Sequence, residues 1–349
     1  MQTIVKDPFP RWLSLTVTNS CNLRCRMCGQ WGIEGYMKTD EYEEKELPVD
    51  AWLKMVDSIP DDQFPLILVR GGEPFRYAGM IELLTALRKR KFFVTIDTNG
   101  FLLEKYADAI VQSGVNNLTV SVDGPQEVHD YIRGVKGTFQ KVKKGVAAIY
   151  EAREKHQKEI TVGLNFTISG DNYQSLGDLP DAARELNIPS MSTVPYYYYS
   201  NDVGQKYEKF MADRLNCQAH SWRGFHRESS GVDGEELINQ FKKLERNLGN
   251  IELGEYMALT ETDYRTWFTD DTTEVGAFRC LMPWKLLDIQ PNGDVNFCID
   301  LPDYIAGNIN ESSLAEIWDS HQADRFREVL QKELFPACAR CGAKYMSKI

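Results

Sequence analysis

The sequence predicts an α/β fold, a curved partial barrel of six parallel strands followed by a small α+β unit. Three observations carry this. Strand-like apolar alternation recurs six times between Trp12 and Pro195, helical spacing fills the intervals, and three cysteines follow the first alternating run directly.

Leu13, Leu15 and Val17 alternate in the first strand; "AWLKMVDSI" then shows helical spacing before "PLILVRGG" opens the second strand. Helix "MIELLTALRKR" leads to strand "FFVTIDTNG", and helix "EKYADAIVQSG", closed by Gly114, leads to "NLTVSVDG". The helix through "VKKGVAAIYEAREK" leads to "ITVGLNFTIS", and "LPDAARELN" leads to "SMSTVPYY". Strands joined by helical crossovers in one sheet run parallel. Chemistry then belongs on loops beyond the strands' C-terminal ends, which puts the opening cysteines at the barrel mouth.

Residues 200–276 are charge-rich and largely helical through "DGEELINQFKKLERN", with "TETDYRTWFTDDTTE" read as a loop. Further on, "KLLDIQPNGDVNFCID" forms two alternating runs around Asn292-Gly293, a strong hairpin signal. The expected division is a barrel core over 1–199, a mainly helical linker or substrate segment over 200–276, and an auxiliary unit over 277–349.

The chain has 349 residues, of which 42% are hydrophobic, enough for a sizeable core. A net charge of -11 leaves no electrostatic footprint for a phosphate backbone, so nucleic acid is not an expected partner. No stretch approaches the ~18 to 20 apolar residues that span a bilayer, and no signal segment opens the chain. The expectation is a cytoplasmic protein without a membrane partner. In a reducing compartment eight cysteines are poor candidates for disulfides, and their clustering points to metal or redox chemistry.

Cys21, Cys25 and Cys28 form CxxxCxxC. Such a loop can cover three corners of a cubane cluster and leave the fourth iron open, as a catalytic site needs. Three zinc ligands completed by a distant residue would read the same way. "RGGEPF" follows the second strand and "VSVDGPQEVHDYIRG" spans the end of the fourth. With these motifs the sequence resembles the radical S-adenosylmethionine (SAM) superfamily.

The resemblance implies that Cys21, Cys25 and Cys28 hold a 4Fe-4S cluster whose open iron is chelated by SAM. It implies that Gly71, Gly72, Glu73 and Pro74 meet the methionine ammonium group, with Glu73 in reach of that cation. Ser121 and Asp123 are expected near the ribose and Arg133 at the methionine carboxylate, which an arginine fork suits. Thr98, Asn99 and Asn165 are expected to point to the same mouth. One departure is Met27, where the family usually has an aromatic residue before the third cysteine.

Cys280 and Cys298 enclose Gly293, and Cys338 and Cys341 form a CxxC. This resembles the Cys-Gly-Cys opening of SPASM domains, but Ser347 stands where a further cysteine would be. The shorter arrangement is similar to the twitch version, implying one auxiliary 4Fe-4S cluster; four thiolates could equally form a structural zinc clamp. The resemblance covers residues 12–196 and 278–345. In full, the expected fold is α/β: a partial (β/α)6 TIM-like barrel with a small C-terminal α+β auxiliary iron-sulfur domain.

By this resemblance the chain is an enzyme that reductively cleaves SAM to a 5'-deoxyadenosyl radical, which abstracts hydrogen from an unactivated carbon. A flavodoxin or ferredoxin-type electron donor is implied. Two further residues are candidates in catalysis. Asp300, close after Cys298, is a candidate base for net oxidation (dehydrogenation), and Cys217, the cysteine left over from both clusters, is a candidate hydrogen donor in an epimerase. Peptide crosslinking is a third outcome, and a two-cluster electron carrier is the non-enzyme alternative. With the first strand beginning near Trp12, no peptide-recognition domain is expected ahead of the barrel, which favours a small polar substrate: a sugar, aminocyclitol or nucleoside derivative. "PYYYYS" is a candidate lining for its pocket.

Overall fold

Period-two alternation sorts the strand side chains onto two faces. In the computed structural model, which describes residues 4–38, 45–254, 257, 259–276 and 279–344, strands β1 (Trp12–Thr16), β2 (Leu66–Arg70), β3 (Val94–Thr98), β4 (Asn117–Ser121), β5 (Thr161–Ile168) and β6 (Ser190–Pro195) lie side by side in parallel. Helices α1 (Val49–Asp57), α2 (Met80–Lys89), α3 (Leu103–Ser113), α4 (Gln126–Arg133), α5 (Thr138–His156) and α6 (Leu179–Glu185) occur in the connections. Val94 and Ile96 of β3, with Leu118 and Val120 of β4, are fully buried in the same apolar core as Leu84, Ile110 and Val146 of the helices. Each such side chain contributes ~1.5 to 3 kcal/mol by burial. Thr95, Asp97, Thr119 and Ser121, the alternate members, face a cavity on the other side of the sheet.

The sheet is longer than the six strands expected. After α7 (Asn201–Leu215) and α8 (Gly234–Asn247), strand β7 (Glu252–Gly254) adds in parallel to β6. The segment "TETDYRTWFTDDTTE", expected as a loop, contains helix α9 (Glu261–Thr269). Its start is a capping box between Thr260 and Asp263, and Tyr264, Trp267 and Phe268 fall at helical spacing into the core. The polar residues around those aromatics masked the period.

The expected hairpin forms from β8 (Leu286–Ile289) and β9 (Asp294–Asn296), turning at Gly293 with a positive φ of 91°. It does not stand apart from the barrel: β8 pairs in parallel with β1, in the register Trp12 to Leu286 and Leu15 to Ile289. Among the described residues, strand β10 (Gly307–Asn308) completes one ten-stranded sheet in the order β10-β9-β8-β1-β2-β3-β4-β5-β6-β7, followed in sequence by α10 (Leu314–Trp318) and α11 (His321–Lys332). The expected boundary at 277 and the position of Ser347 lie outside the described residues. Among the described residues no helix is long and apolar enough to cross a membrane.

Arg340, between two of the C-terminal cysteines, joins that unit to the middle segment. Its buried guanidinium donates to the main-chain carbonyls of Thr266 (2.9 Å), Trp267 (2.7 Å) and Thr273 (2.6 Å). Those carbonyls belong to the end of α9 and the chain beyond it; Thr266 O also accepts the Asp270 N–H at 3.1 Å, so Arg340 adds a second donor there and serves Trp267 and Thr273 beyond the last helical bond.

Candidate active site

Beyond β1 the chain passes against the turn after β2. Gly72 N–H donates to Thr18 O at 2.8 Å and Glu73 N–H to Ser20 O at 2.9 Å. A Cβ on Gly71 would stand 2.3 Å from Thr18 O, and one on Gly72 would stand 2.4 Å from both Asn19 O and Ser20 O. The glycine pair is therefore required for contact between these two segments, and it also borders the cavity.

Cys21, Cys25 and Cys28 line that cavity, whose volume is about 640 Å³. Main-chain N–H groups of Leu23 and Trp31 donate to the sulfurs of Cys21 and Cys28, each at 3.4 Å, and Asn99 Nδ2 donates to Cys21 Sγ at 3.9 Å. Burial pushes the Cys25 thiol up to about 12 and raises that of Cys21, with the neighbouring cysteines adding to it. Three half-buried sulfurs lining one cavity and supplied with N–H donors fit a cationic iron-sulfur core.

Gly71, Gly72, Asn99, Ser121, Arg133 and Asn165 line the same cavity as the cysteines. Asn165 accepts from Ser192 Oγ at 3.1 Å. Four other expected residues, Glu73, Pro74, Thr98 and Asp123, do not line this cavity. Glu73 is fully buried: Oε1 accepts from Thr98 Oγ1 (2.9 Å) and Phe75 N–H (3.2 Å), and Oε2 from Asn99 N–H (2.9 Å). Burial raises its pKa while those donors pull it back. Glu73 and Thr98 thus brace the end of β3 and set Asn99 toward Cys21, and Pro74 starts the short 3-10 turn Pro74–Arg76 behind them. Asp123 is also fully buried, with Oδ2 at 2.6 Å from Arg133 Nε.

At the hairpin side of the cavity stand Asp300, Tyr197, Arg70 and Asp97. The Tyr197 hydroxyl donates to Asp300 Oδ1 at 2.8 Å, and Cys341 Sγ lies 3.7 Å from Asp300 Oδ2. Arg70 donates to Ser14 Oγ (3.0 Å), Asp288 Oδ1 (3.2 Å) and Ile299 O (2.8 Å). Burial pushes Asp97 up to about 6, against the pull of Arg70 and Thr119. Arg70 and Asp97 are additions that the motif search missed. Their signal was the strand alternation itself, which turns the polar members of "LILVR" and "VTIDT" inward. Of the tyrosine run, Tyr196 and Tyr197 reach the cavity, whereas Tyr198 and Tyr199 are buried in the core.

Cys217 is placed elsewhere. It follows the end of α7, its Sγ contacts Asp303 O at 3.2 Å and Gln218 O at 3.3 Å, and it does not line the cavity. A hydrogen donor must reach the substrate carbon, and the Cys217 thiol lies outside the cavity lined by Cys21, Cys25 and Cys28.

Cys280, Cys298, Cys338 and Cys341 converge behind Asp300. Cys298, Cys338 and Cys280 all act on the Cys341 thiol, which burial holds well above its usual range, and Cys280 and Cys338 are pushed up to about 11 and about 12. One buried and three half-buried thiols near enough to act on one another suit a protein-ligated iron-sulfur centre.

Comparison with known proteins gives the same picture. The family model described as the radical SAM superfamily matches residues 15–186, and the SPASM model, an iron-sulfur cluster-binding domain, matches residues 280–342. The chain is 31% identical over 186 residues to the Fe-coproporphyrin III synthase of Methanosarcina barkeri, a match spanning 53% of this chain but 43% of that protein. It is 24% identical to the tungsten-containing aldehyde ferredoxin oxidoreductase cofactor-modifying protein of Pyrococcus furiosus, over 96% of this chain and 88% of that one. It is 22% identical to the subtilosin biosynthesis protein AlbA of Bacillus subtilis, over 97% and 68%. Among solved structures, Streptococcus suis SuiB bound to S-adenosylmethionine shares the fold with a TM-score of 0.63 at 18% identity, over 92% of this chain and 68% of that one. AnSMEcpe with bound AdoMet does so with a TM-score of 0.60 at 16% identity, over 94% and 88%.

Proposed function

The chain belongs to the radical SAM superfamily and carries a SPASM iron-sulfur cluster-binding domain, and from that premise we propose that it oxidises a polar substrate by dehydrogenation, with Asp300 as the base. The observation that supports this reading is the position of Asp300. It shares one cavity with Cys21, Cys25 and Cys28 and touches Cys341 of the second cysteine set.

When bound, SAM and the two 4Fe-4S clusters supply hydrogen-atom abstraction from an unactivated carbon and an acceptor for the second electron. Cys21, Cys25 and Cys28 would hold the first centre and leave one iron position open. The Gly71-Gly72 backbone and the Arg133 guanidinium would take the ammonium and carboxylate of the methionine moiety, with Ser121 and Asn165 on the sugar side. Cys280, Cys298, Cys338 and Cys341 would hold the second centre. Asp300 takes the substrate's O–H or N–H proton at Oδ2, while the Tyr197 hydroxyl fixes Oδ1. The substrate thus loses a hydrogen atom, a proton and an electron. The barrel wall excludes water and competing hydrogen donors.

Ser14, Thr95, Asp97, Thr119 and Ser192, set in a lining that also holds Leu66, Leu68, Val194 and Ile299, support a small hydroxylated substrate, such as a sugar, aminocyclitol or nucleoside derivative. A peptide substrate is the second reading, favoured by the matches to AlbA and to SuiB, the latter also solved with its precursor peptide SuiA. The deciding experiment incubates the reconstituted enzyme anaerobically with SAM, dithionite and candidate substrates from both classes. The expected product is two hydrogens lighter than the substrate and forms one-to-one with 5'-deoxyadenosine. A redox-neutral product carrying one solvent deuterium would overturn dehydrogenation.

A further inference from the structure

Arg133 ends α4, is 7% exposed, and has a different neighbour on each side of its guanidinium. Nε lies 2.6 Å from Asp123 Oδ2, and Nη1 donates to Cys25 Sγ at 3.6 Å. The rest of the group borders the cavity. Asp123 is fully buried; burial raises its pKa against the pull of Arg133 and the Thr167 main-chain N–H, the groups that favour its charged form. Its own N–H donates to Nδ1 of His129, which burial keeps neutral. The carboxylate therefore anchors one edge of the guanidinium and aims another at a cysteine of the CxxxCxxC loop.

We propose that Asp123 and Arg133 form a positioning pair that sets the reduction potential of the iron-sulfur centre held by Cys25. This rests on Cys25 being a cluster ligand. Reduction adds negative charge to the cluster, so a cation and a hydrogen bond at a ligand sulfur favour the reduced form. Asp123 opposes that effect by neutralising the cation while holding it in place. The two residues therefore act on the potential with opposite signs.

The test is a redox titration of the reconstituted holoenzyme, followed by the electron paramagnetic resonance signal of the reduced SAM-binding cluster in the absence of SAM. The auxiliary centre is removed by Cys338→Ala and Cys341→Ala in the background, so that one cluster is read. Arg133→Gln is expected to lower the midpoint potential, and Asp123→Asn, which keeps the shape and leaves the guanidinium uncompensated, to raise it. A tenfold change in the reduction equilibrium, about 59 mV for one electron, is the expected size in each direction. Loss of packing alone gives no reason for opposite signs. Shifts of the same sign, or unchanged potentials with full iron content, would overturn the proposal. If Asp123→Asn does not fold, Arg133→Gln and Arg133→Lys decide: both should lower the potential, the lysine less, and no lowering refutes the pair. Iron content measured beforehand separates this failure from loss of Cys25 as a ligand.

Discussion

Tyr197 and Asp300, 103 residues apart in sequence, meet through a 2.8 Å hydrogen bond from the tyrosine hydroxyl to Oδ1. One belongs to the segment that leaves β6 and the other follows the C-terminal hairpin, so the bond joins the barrel to the auxiliary cysteines across the cavity. Removing the carboxylate should therefore uncouple hydrogen abstraction from product formation. Asp300→Asn is expected to retain 5'-deoxyadenosine release while losing ~100-fold or more of oxidised product, the range of a general base. Tyr197→Phe should lose less. Mass spectrometry of both products checks it, and full oxidation by Asp300→Asn would remove the residue from the mechanism.

Iron should divide between the two cysteine sets. Replacing Cys21, Cys25 and Cys28 with alanine is expected to leave about half the iron of the reconstituted protein and to abolish SAM cleavage. Cys338→Ala with Cys341→Ala should spare the first cluster. Iron and zinc analysis of anaerobically purified protein checks both, and zinc without iron at the C-terminal set would show a structural clamp instead.

Arg133 is placed to serve the cofactor as well as Cys25. Arg133→Ala is expected to weaken SAM binding by about tenfold to a hundredfold, which corresponds to the ~1.5 to 3 kcal/mol of one charge-assisted hydrogen bond. Equilibrium binding to the oxidised holoenzyme measures this. Unchanged affinity would leave Arg133 only its contacts with Asp123 and Cys25.

Asp97 makes stability depend on pH. Its pKa rises from 3.8 to about 6 in the fold, so the native state binds more protons than the unfolded chain between those values. Stability from this group is fully present below pH 3.8 and is lost as pH rises from there through about 6, by up to ~3 kcal/mol at about 1.36 kcal/mol per unit. Asp97→Asn should therefore gain up to ~3 kcal/mol over the wild type at pH 7.5 and only about a third of that at pH 4.5. Urea unfolding of both proteins at the two pH values reads the difference. A variant less stable at pH 7.5 would mean that attraction to Arg70 outweighs the burial cost.

Arg340 should matter to the middle segment as much as to its own loop. Arg340→Met leaves the carbonyls of Trp267 and Thr273 without their donor, while Thr266 keeps the Asp270 N–H, and a cost of ~2 to 4 kcal/mol is expected from these acceptors. Thermal unfolding measures it. Faster hydrogen exchange at the end of α9 should accompany the loss.

What could be read from the chain itself was local. CxxxCxxC, GGEP and the strand-helix alternation depend on neighbours a few residues apart, so the barrel order, the mouth position of Cys21, Cys25 and Cys28, and the hairpin at Gly293 were all legible. Asp97 and Arg70 were not singled out, although the alternation of their strands carries their inward-facing positions, and nothing in their spacing tied them to Asp300. Helix α9 was missed because its apolar positions, Tyr264, Trp267 and Phe268, are outnumbered by the polar residues around them.

Only the tertiary structure decided how carboxylates of the same type are used. Glu73 and Asp123 turned out to be buried braces and Asp300 a cavity residue, while Cys217 fell away from the site. Sequence spacing sets which side of a strand or loop a side chain leaves from. Whether that side chain meets cavity, cation or core depends on contacts between segments tens to hundreds of residues apart. For Asp123 that contact is the 2.6 Å approach of Arg133 Nε, and for β8 it is a parallel register with β1 that no hairpin signal contains.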